Sequence, residues 1–429
     1  MDRRTRTLWT YYLYKATTSY GFYLPFSTIY LVQQGYGLDV IGLAQSAFLF
    51  AMVAAEIPAG YVADRIDRRT TLAAGNALSA VSLGAYPFVG SATGWIVLYG
   101  LWGLGAACHS AIGEAWLYDL LAQRTDESSF ARTSGRGATV ELSVSAASAI
   151  AASLLYGIDP GLPFLANAAL SAAGVPLILT LPATRNGAET VISISETLQA
   201  LKLQLHRSEV RWLVAYAALF NVLFSVTRWL EQPALDAVGI PVTSFGLLYA
   251  GFKLVTAGAT STTGFLQDQL GARWFFLLLL PVCGVAYAMV HFLPLFVVPV
   301  LLLRRALDRV SGPIRNQYLN DRLDSVGRAT ILSGVSMALH LASGAGNAIF
   351  GQIAEATGPM VFLPIAGVGV VLVAGLLWIA TDPVRPPAVN LGPAESTPAD
   401  SDVADVDAGD VDAADAADAA DAADAAGTD

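Results

Sequence analysis

The stretch GYVADRIDRRTT, residues 60–71, joins two apolar runs at 41–63 and 71–90. It places five charged side chains within six positions, whereas only 14% of the whole chain is charged and 55% is hydrophobic. A typical soluble domain carries about 25% charged residues. A short charged turn between long apolar runs is typical of a membrane hairpin, so the composition argues against a soluble enzyme.

Apolar runs long enough to cross a bilayer follow one another along the chain. A helix needs about 20 mainly apolar residues to span the hydrocarbon core. Twelve runs reach this length, with approximate limits of 7–33, 41–63, 71–90, 95–121, 133–157, 161–182, 210–235, 244–266, 273–292, 295–321, 329–355 and 360–381. Lipid offers the backbone no hydrogen-bond partners, and the runs lack the alternation of barrel strands. We therefore predict an all-α polytopic membrane protein with twelve transmembrane helices.

Lys and Arg are confined to every second connection between the predicted spans. The alternate connections contain neither residue, at 35–40, 90–94, 159–161, 236–242, 291–294 and 355–359. Cytoplasmic loops hold the excess of positive charge in membrane proteins. This distribution predicts that both termini are cytoplasmic and that the protein is a multi-pass protein of the cell membrane.

The sequence repeats itself weakly at an offset of 204 positions, with nine identities in 39 positions. The matching pairs are Leu31 with Leu235, Gly35 with Gly239, Gly42 with Gly246, Leu43 with Leu247, Phe48 with Phe252, Ala55 with Ala259, Gly60 with Gly264, Asp64 with Asp268 and Arg69 with Arg273. Parallel repeats of this kind occur in transporters whose site lies between the halves. We predict two pseudo-symmetric six-helix bundles, at 1–182 and 209–382.

Two polar segments lie outside these bundles. Residues 183–208 form a linker in which apolar side chains recur at helical spacing, which predicts a short amphipathic cytoplasmic helix. Residues 383–429 hold eleven Asp and one Glu against one Arg, and repeat Asp-Ala-Ala. Such a composition cannot bury a core, so this acidic tail is predicted to be disordered. Its bias would also suit a salt-loving organism.

The segment 60–69 resembles the signature loop of the major facilitator superfamily, whose pattern is Gly-x-Leu-Ala-Asp-Arg-x-Gly-Arg-Lys. The matching positions are Gly60, Ala63, Asp64, Arg65 and Arg68, with Arg69 in place of Lys and Asp67 in place of the second Gly. The second half repeats part of the pattern at Gly264, Asp268, Gly271 and Arg273. With the twelve spans, the resemblance covers residues 1–382.

The resemblance implies a function for these loops in conformational gating, carried by Gly60, Asp64, Arg65, Arg68, Arg69, Asp268 and Arg273. In the alternative interpretation, the arginines only follow the cytoplasmic bias of positive charge. A proton-coupling motif in the fourth span is matched at 103–107, but Tyr99 stands where its arginine is expected. The family's antiporter motif is absent from the fifth span, so assignment as a drug and proton antiporter is unsupported.

Ionisable side chains inside the predicted spans are candidates for the substrate cavity, because a charge in lipid costs about 2.5 to 3.5 kcal/mol. Two polar stripes at helical spacing occur, in span seven at Asn221, Ser225, Arg228 and Gln232, and in span ten at Arg304, Asp308, Ser311 and Arg315. The resemblance implies a cavity lined by spans one, four, seven and ten. The candidates are Lys15, Glu114, Asn221, Arg228, Arg304, Asp308 and Arg315. Structural roles are the alternative to roles in the cavity. In that interpretation Arg304 and Asp308 form a structural ion pair, and Glu231 extends to water at the outer membrane surface.

These features predict a secondary transporter of the permease type, which moves a small solute across the membrane by alternating access. Transport is either uncoupled or driven by protons, with Glu114, Asp308 or Glu141 as the titrating carboxylate. The alternative is a non-transporting membrane sensor or scaffold on the same fold. Nothing in the sequence indicates a catalytic centre, a metal site or a cofactor. The expected partners are a small-molecule substrate and the lipid bilayer, with no nucleic acid, and we expect a monomer.

Overall fold

The computed structural model describes residues 3–110, 112–124, 129–183, 208–322 and 328–384. The predicted linker helix and the predicted acidic tail lie almost entirely outside these residues. The described part is built from α-helices and short 3₁₀ turns. The helices are α1 (Arg3–Thr17), α2 (Ser27–Gln33), α3 (Leu38–Arg65), α4 (Arg68–Ala85), α5 (Ala92–Ser110), α6 (Ile112–Arg124), α7 (Phe130–Ile158), α8 (Leu162–Thr180), α9 (Ser208–Ala237), α10 (Phe245–Ser261), α11 (Thr263–Phe292), α12 (Val297–Asn320), α13 (Arg328–Thr357) and α14 (Pro359–Thr381).

Eight helical segments of the described chain are long and apolar enough to cross a membrane. They are Leu38–Arg65, Ala92–Ala122, Phe130–Ile158, Leu162–Thr180, Val210–Ala237, Val242–Ser261, Thr263–Phe292 and Pro359–Thr381. The other four predicted spans correspond to α1 with α2, α4, α12 and α13. These four are broken or contain more polar side chains, which is the reason that hydropathy alone does not select them.

The first predicted span is not a continuous helix, contrary to the expectation for 7–33. Helix α1 ends at Thr17 and α2 begins at Ser27. Side chains from other helices bind the backbone freed by this break. The side chain of Asn167 accepts from the N–H of Tyr23 and donates to the carbonyl of Ser19, both over 3.2 Å. Irregular backbone is tolerated at membrane depth only where protein or water satisfies it in this way.

The helix contacts recur in two parallel sets. In the first set, α3 packs on α5, α4 packs on α8, and α1 packs on α7 and α8. In the second set, α10 packs on α12, α11 packs on α14, and α9 packs on α13 and α14. The sets are joined by α3 with α13, α7 with α10, and α2 with α9. Each pairing in one set has a counterpart in the other, as a repeated sequence requires.

The turns that follow α2 and α9 are the same turn in both repeats. Gly35 and Gly239, which the 204-residue offset pairs, have φ angles of 84° and 80°. In the first turn the N–H of Tyr36 donates to the carbonyl of Leu31, and the equivalent bond follows α9, each over 3.1 Å. This is the hydrogen-bond pattern of a Schellman cap, in which glycine adopts the left-handed conformation without strain. The sequence repeat therefore corresponds to repeated local structure.

Candidate functional site

Two adjoining cavities open among the helices, with volumes of about 420 and 430 Å³. The first lies between α1, α5, α6 and α7, and the second lies between the break at 18–26, α7, α10 and α12. Tyr20, Ala138 and Glu141 line both cavities. Helices from both the first and the last part of the chain therefore surround the second cavity. Glu141 lies in the wall that the two cavities share.

An ion pair occupies this shared wall. The ammonium of Lys15 on α1 lies 2.6 Å from a carboxylate oxygen of Glu141 on α7, and both side chains are partly exposed. Glu114 is exposed and lines the first cavity. The hydroxyl of Tyr14 lies 3.5 Å from Nδ1 of His109 in the same cavity. The structure thus places the predicted residues Lys15 and Glu114 at one cavity.

Two cations face the second cavity. Lys253 on α10 and Arg309 on α12 both line it, and Arg309 is exposed. Within the described residues neither side chain forms an ion pair. The sequence-based list of cavity candidates omitted both residues. The sequence shows both as charged residues inside predicted spans, but neither belongs to the predicted polar stripes.

Arg228, Asp308 and Arg315 form a second charged group, on α9 and α12. Arg228 and Asp308 are exposed, whereas Arg315 is only partly so. The charge of Asp308 acts on both arginines. Arg315 also donates to the side chain of its neighbour Asn316 over 3.1 Å. These three predicted candidates are therefore brought together in the structure.

Arg304 is placed differently from the other candidates. It is 2% exposed and forms an ion pair with Glu231, which is fully buried. Arg305 binds the second carboxylate oxygen of Glu231 over 2.5 Å. The expectations that Glu231 extends to water and that Arg304 pairs with Asp308 are both wrong. A buried carboxylate needs compensating charge, and two guanidinium groups provide it here.

Gln232, the residue after Glu231, binds the backbone at the break in the first predicted span. The side chain of Gln232 accepts hydrogen bonds from the N–H groups of Thr28 and Ile29, over 2.8 and 2.9 Å. Its amide nitrogen donates to the carbonyl of Leu24 over 2.7 Å. The amide of one side chain thus satisfies three backbone groups of another helix. Sequence reasoning placed Gln232 in a polar stripe but did not identify this role.

The remaining polar residues of that stripe do not line one cavity surface. Ser225 donates to the side chain of Asn347 on α13 over 3.2 Å, and Trp229 donates to the same oxygen over 3.2 Å. Asn221 donates to the carbonyl of Ala217 in its own helix over 2.9 Å. Of the predicted stripe in α9, only Arg228 is exposed. The stripe mainly joins α9 to its neighbours.

The loop between α3 and α4 is held by ion pairs within the first set of helices. Arg68 is 7% exposed and reaches Asp119 over 2.7 Å and Asp64 over 3.4 Å. Asp67, which replaces the family glycine, caps α4 by accepting from the N–H of Arg69 over 3.3 Å. Arg65 instead lies 4.5 Å from the ring centre of Tyr61. This loop contributes both a buried ion pair and a helix cap.

The two loops of the repeat make equivalent contacts. Arg69 donates to the carbonyl of Leu181, just after α8, over 2.8 Å. Arg273 donates to the carbonyl of Val384, just after α14, over 2.9 Å, and pairs with Asp382 over 2.9 Å. Each arginine thus fixes the end of the last helix of its own set.

Other residues of the two loops are less engaged. Asp268 is exposed. A side-chain carbon at Gly60 would meet open space, so no neighbouring helix packs closely against this glycine. Close approach occurs instead at another repeat pair. Gly42 lies against the backbone of α13, and Gly246 lies against the backbone of α7, with no space for a side chain at either position.

Contacts between the two helix sets are concentrated near the connections that lack Lys and Arg. The N–H of Leu38, at the start of α3, donates to the carboxylate of Glu355, near the end of α13, over 2.6 Å. Ser46 on α3 donates to the carbonyl of Gly344 on α13 over 2.6 Å. At the opposite helix ends, the described bonds of Arg68, Arg69 and Arg273 all stay within one set.

Tyr99, at the position where the family has an arginine, belongs to a neutral cluster. It accepts a hydrogen bond from the hydroxyl of Tyr23 over 3.0 Å and lies 3.1 Å from the hydroxyl of Tyr86. Tyr86 donates to the carbonyl of Ser27 in the break over 2.5 Å. The cluster supports the irregular backbone of the first span and adds no charge to the cavity.

A helical membrane bundle with a charged internal cavity defines a membrane transport protein. The family model of the Major Facilitator Superfamily matches residues 14–232. A curated relative, the uncharacterized MFS-type transporter YxaM of Bacillus subtilis (strain 168), is 24% identical over 353 residues, covering 79% of this chain and 86% of the relative. The chain belongs to the Major Facilitator Superfamily and is a multi-pass membrane transporter, not an enzyme.

Solved structures share the fold at low sequence identity. The nucleoside transporter NupG aligns with a TM-score of 0.74 and 14% identity, covering 89% of this chain and 98% of NupG. A bacterial homolog of the human lysosomal transporter Spinster, in an inward-facing and unoccupied conformation, aligns with a TM-score of 0.70 and 14% identity, covering 90% and 100% of the two chains. A D-xylose-proton symporter aligns with a TM-score of 0.63 and 13% identity, covering 88% and 98%.

Proposed function

We propose that this protein is a secondary permease that moves a small solute across the cell membrane by alternating access. In this proposal, twelve spans form two six-helix halves at 1–182 and 209–382, joined by a cytoplasmic linker at 183–208. Both termini face the cytoplasm, and the acidic tail follows the last span. The single observation that carries the proposal is the charged hollow between the two helix sets, with the bonds between the described residues of the two sets lying near one end.

The recurring helix contacts support the two halves. Each half would contain a set of packed helices, and the glycine turns at Gly35 and Gly239 end the first span of each. Hydropathy alone selects eight spans, because four of the twelve are polar or broken. Those four contribute Lys15, Asp308, Arg309 and Arg315, the groups expected of helices that face a water-filled path.

The positions of the inter-set bonds support an inward-facing conformation. By the distribution of Lys and Arg, Leu38 and Glu355 lie at the outer surface. Their hydrogen bond and the close packing at Gly42 and Gly246 would close that side. At the opposite side, the bonds described for Arg69 and Arg273 stay within one half. Alternating access requires that these outer contacts open in another state.

The two cavities also contain groups able to carry protons, namely Glu114 in the first and Glu141, paired with Lys15, in both. Asp308 is a third exposed carboxylate, on α12. Protonation of Glu141 would release this pair, which gives a proton gradient one physical means to drive transport. The charged cavity favours transport over a non-transporting scaffold on the same fold, since a scaffold has no need of unpaired charges within the membrane. We expect no nucleic-acid partner and a monomeric protein.

Reversible locking of the outer contact tests this function. Asp39→Cys and Glu355→Cys, introduced after Cys108→Ser and Cys283→Ser, place one thiol on each side of that contact. The purified protein is reconstituted in liposomes and incubated with a defined equimolar mixture of organic acids, amines, amino acids and sugars. Mass spectrometry then measures which compounds enter.

We expect uptake above that of protein-free liposomes, loss of uptake after cross-linking with a bis-methanethiosulfonate reagent, and recovery after reduction. The two single-cysteine variants are the controls, because the reagent cannot bridge the contact in either. Uptake that equals protein-free liposomes, or that continues after complete cross-linking, contradicts the proposed function.

A further inference from the structure

The accessible cations of the cavity region exceed its accessible carboxylates. Several of the intramembrane charges are neutralised by direct contact, because Arg304 and Arg305 bind Glu231 and Lys15 binds Glu141. Arg228, Lys253, Arg309 and Arg315 have no ion pair among the described residues, and neither have the carboxylates Glu56, Glu114 and Asp308. Together these seven side chains carry a net charge of +1, from four positive and three negative groups.

The excess of positive charge is not evenly distributed among the helices. These four cations lie on α9, α10 and α12, but among them only Lys253 and Arg309 line the second cavity. The charge of Asp308 acts on Arg228 and Arg315, and so belongs to that group. Glu141, which lines the second cavity and whose charge also acts on Lys253, is paired with Lys15. Lys253 and Arg309 therefore share a cavity wall without an ion pair of their own among the described residues.

A pair of unpaired cations inside the membrane is costly, and a bound anion lowers that cost. The guanidinium of Arg309 presents a planar fork that matches a carboxylate or phosphate, while the ammonium of Lys253 is a compact point charge. Ser145 lines the same cavity, and its hydroxyl has no hydrogen-bond partner among the described residues. The volume of about 430 Å³ fits a small metabolite.

We propose that the transported solute carries a net negative charge and that its anionic group binds between Lys253 and Arg309. This inference rests on the proposed transport function. The anionic group enters beside the Lys15 and Glu141 pair, and the less polar part of the solute contacts Tyr20 and Leu24 in the break that follows α1.

The test uses the defined mixture of organic acids, amines, amino acids and sugars in liposomes of phosphatidylcholine alone. This lipid removes anionic headgroups, which have the same charge chemistry, so uptake reports soluble anions. The full-length protein is compared with K253Q, R309Q and the double variant. The matched control is R211Q, since Arg211 is exposed at the start of α9 and contacts the ring of Trp212 at 4.9 Å.

We expect compounds of net negative charge to enter with the native protein and with R211Q, and their uptake to fall at least tenfold in the double variant. A second set of liposomes containing phosphatidylglycerol is expected to show weaker uptake, because its headgroup competes for the cations. Thermal unfolding of each variant distinguishes lost binding from lost folding. A double variant that unfolds at the native temperature but transports anions normally overturns the inference.

The outcomes separate the two proposals. Entry of amines, net-neutral amino acids or sugars without any net-negative compound overturns the inference and leaves the transport function intact. No entry of any compound overturns the transport function itself. Reduced uptake only in liposomes with phosphatidylglycerol, with equal uptake by native protein and double variant in phosphatidylcholine, also overturns the assignment to Lys253 and Arg309.

Discussion

Thr28 and Gln232 lie 204 positions apart and contact each other, because the N–H of Thr28 donates to Oε1 of Gln232 over 2.8 Å. The same offset pairs the residues of the repeated sequence. In an arrangement with two-fold symmetry, equivalent residues meet only on the axis. The contact therefore marks the axis of the two proposed halves. It also joins α2 to α9, at the break where the first span exposes its backbone.

Gln232→Leu removes the partners of two buried backbone N–H groups and one carbonyl. A buried donor without a partner costs about 1–3 kcal/mol. We expect a clearly lower unfolding temperature in detergent by differential scanning fluorimetry. Q352L is the control, because Gln352 is exposed on α13. Equal unfolding temperatures for Q232L and Q352L would show that water replaces the amide.

Glu231→Gln leaves Arg304 and Arg305 without their shared carboxylate. Breaking a buried ion pair by removing one partner costs about 3–5 kcal/mol. We expect E231Q to accumulate poorly in membranes and to unfold at a much lower temperature than the native protein. D308N is the comparison, since Asp308 is exposed and has no ion pair among the described residues. A larger loss of stability in D308N would refute the assigned roles.

Arg68 and Arg65 are predicted to differ although both belong to the signature loop. Arg68→Gln breaks a nearly buried contact with Asp119 and Asp64, whereas Arg65 is exposed beside Tyr61. We expect R68Q to lose about 1–3 kcal/mol of stability and R65Q to lose well under 1 kcal/mol. Thermal unfolding of both variants tests this order. Equal effects would mean that the loop acts only through its total positive charge.

The Lys15 and Glu141 pair is expected to affect transport more than folding. Both side chains are partly exposed, so solvent screening limits the pair to about 1 kcal/mol or less. We expect K15Q and E141Q to fold normally, to transport poorly and to show non-additive effects in the double variant. A double-variant cycle on the initial uptake rate measures this coupling. Fully additive losses would show that the two residues act independently.

The membrane-spanning helices and the signature loop could be predicted because they depend on local composition. The positive φ angles of Gly35 and Gly239 also depend on local sequence, because the two glycines are paired by the repeat and each follows the end of a helix. Hydropathy also identified the intramembrane charges. These features need no knowledge of which helices touch.

The partners of those charges could not be predicted in the same way. Helical spacing shows which residues share a side of one helix, but it does not show which helix packs against that side. Glu231 and Arg304 are 73 positions apart, and Gln232 binds a backbone 204 positions away. The break at 18–26 was also missed, because its partners are side chains of distant helices. Lys253 and Arg309 lie at one cavity because α10 packs against α12, and the sequence does not reveal this packing.

The most direct measurement follows the cytoplasmic ends while the contact at the axis is weakened. Spin labels at Ile66→Cys and Asp268→Cys, in the background lacking Cys108 and Cys283, report the distance between α3 and α11 by pulsed electron paramagnetic resonance in liposomes. Loss of the contact between Gln232 and Thr28 in Q232L is expected to raise the short-distance population, because opening outside requires closure inside. An unchanged distance distribution, or a shift to longer distances, would contradict alternating access between two halves.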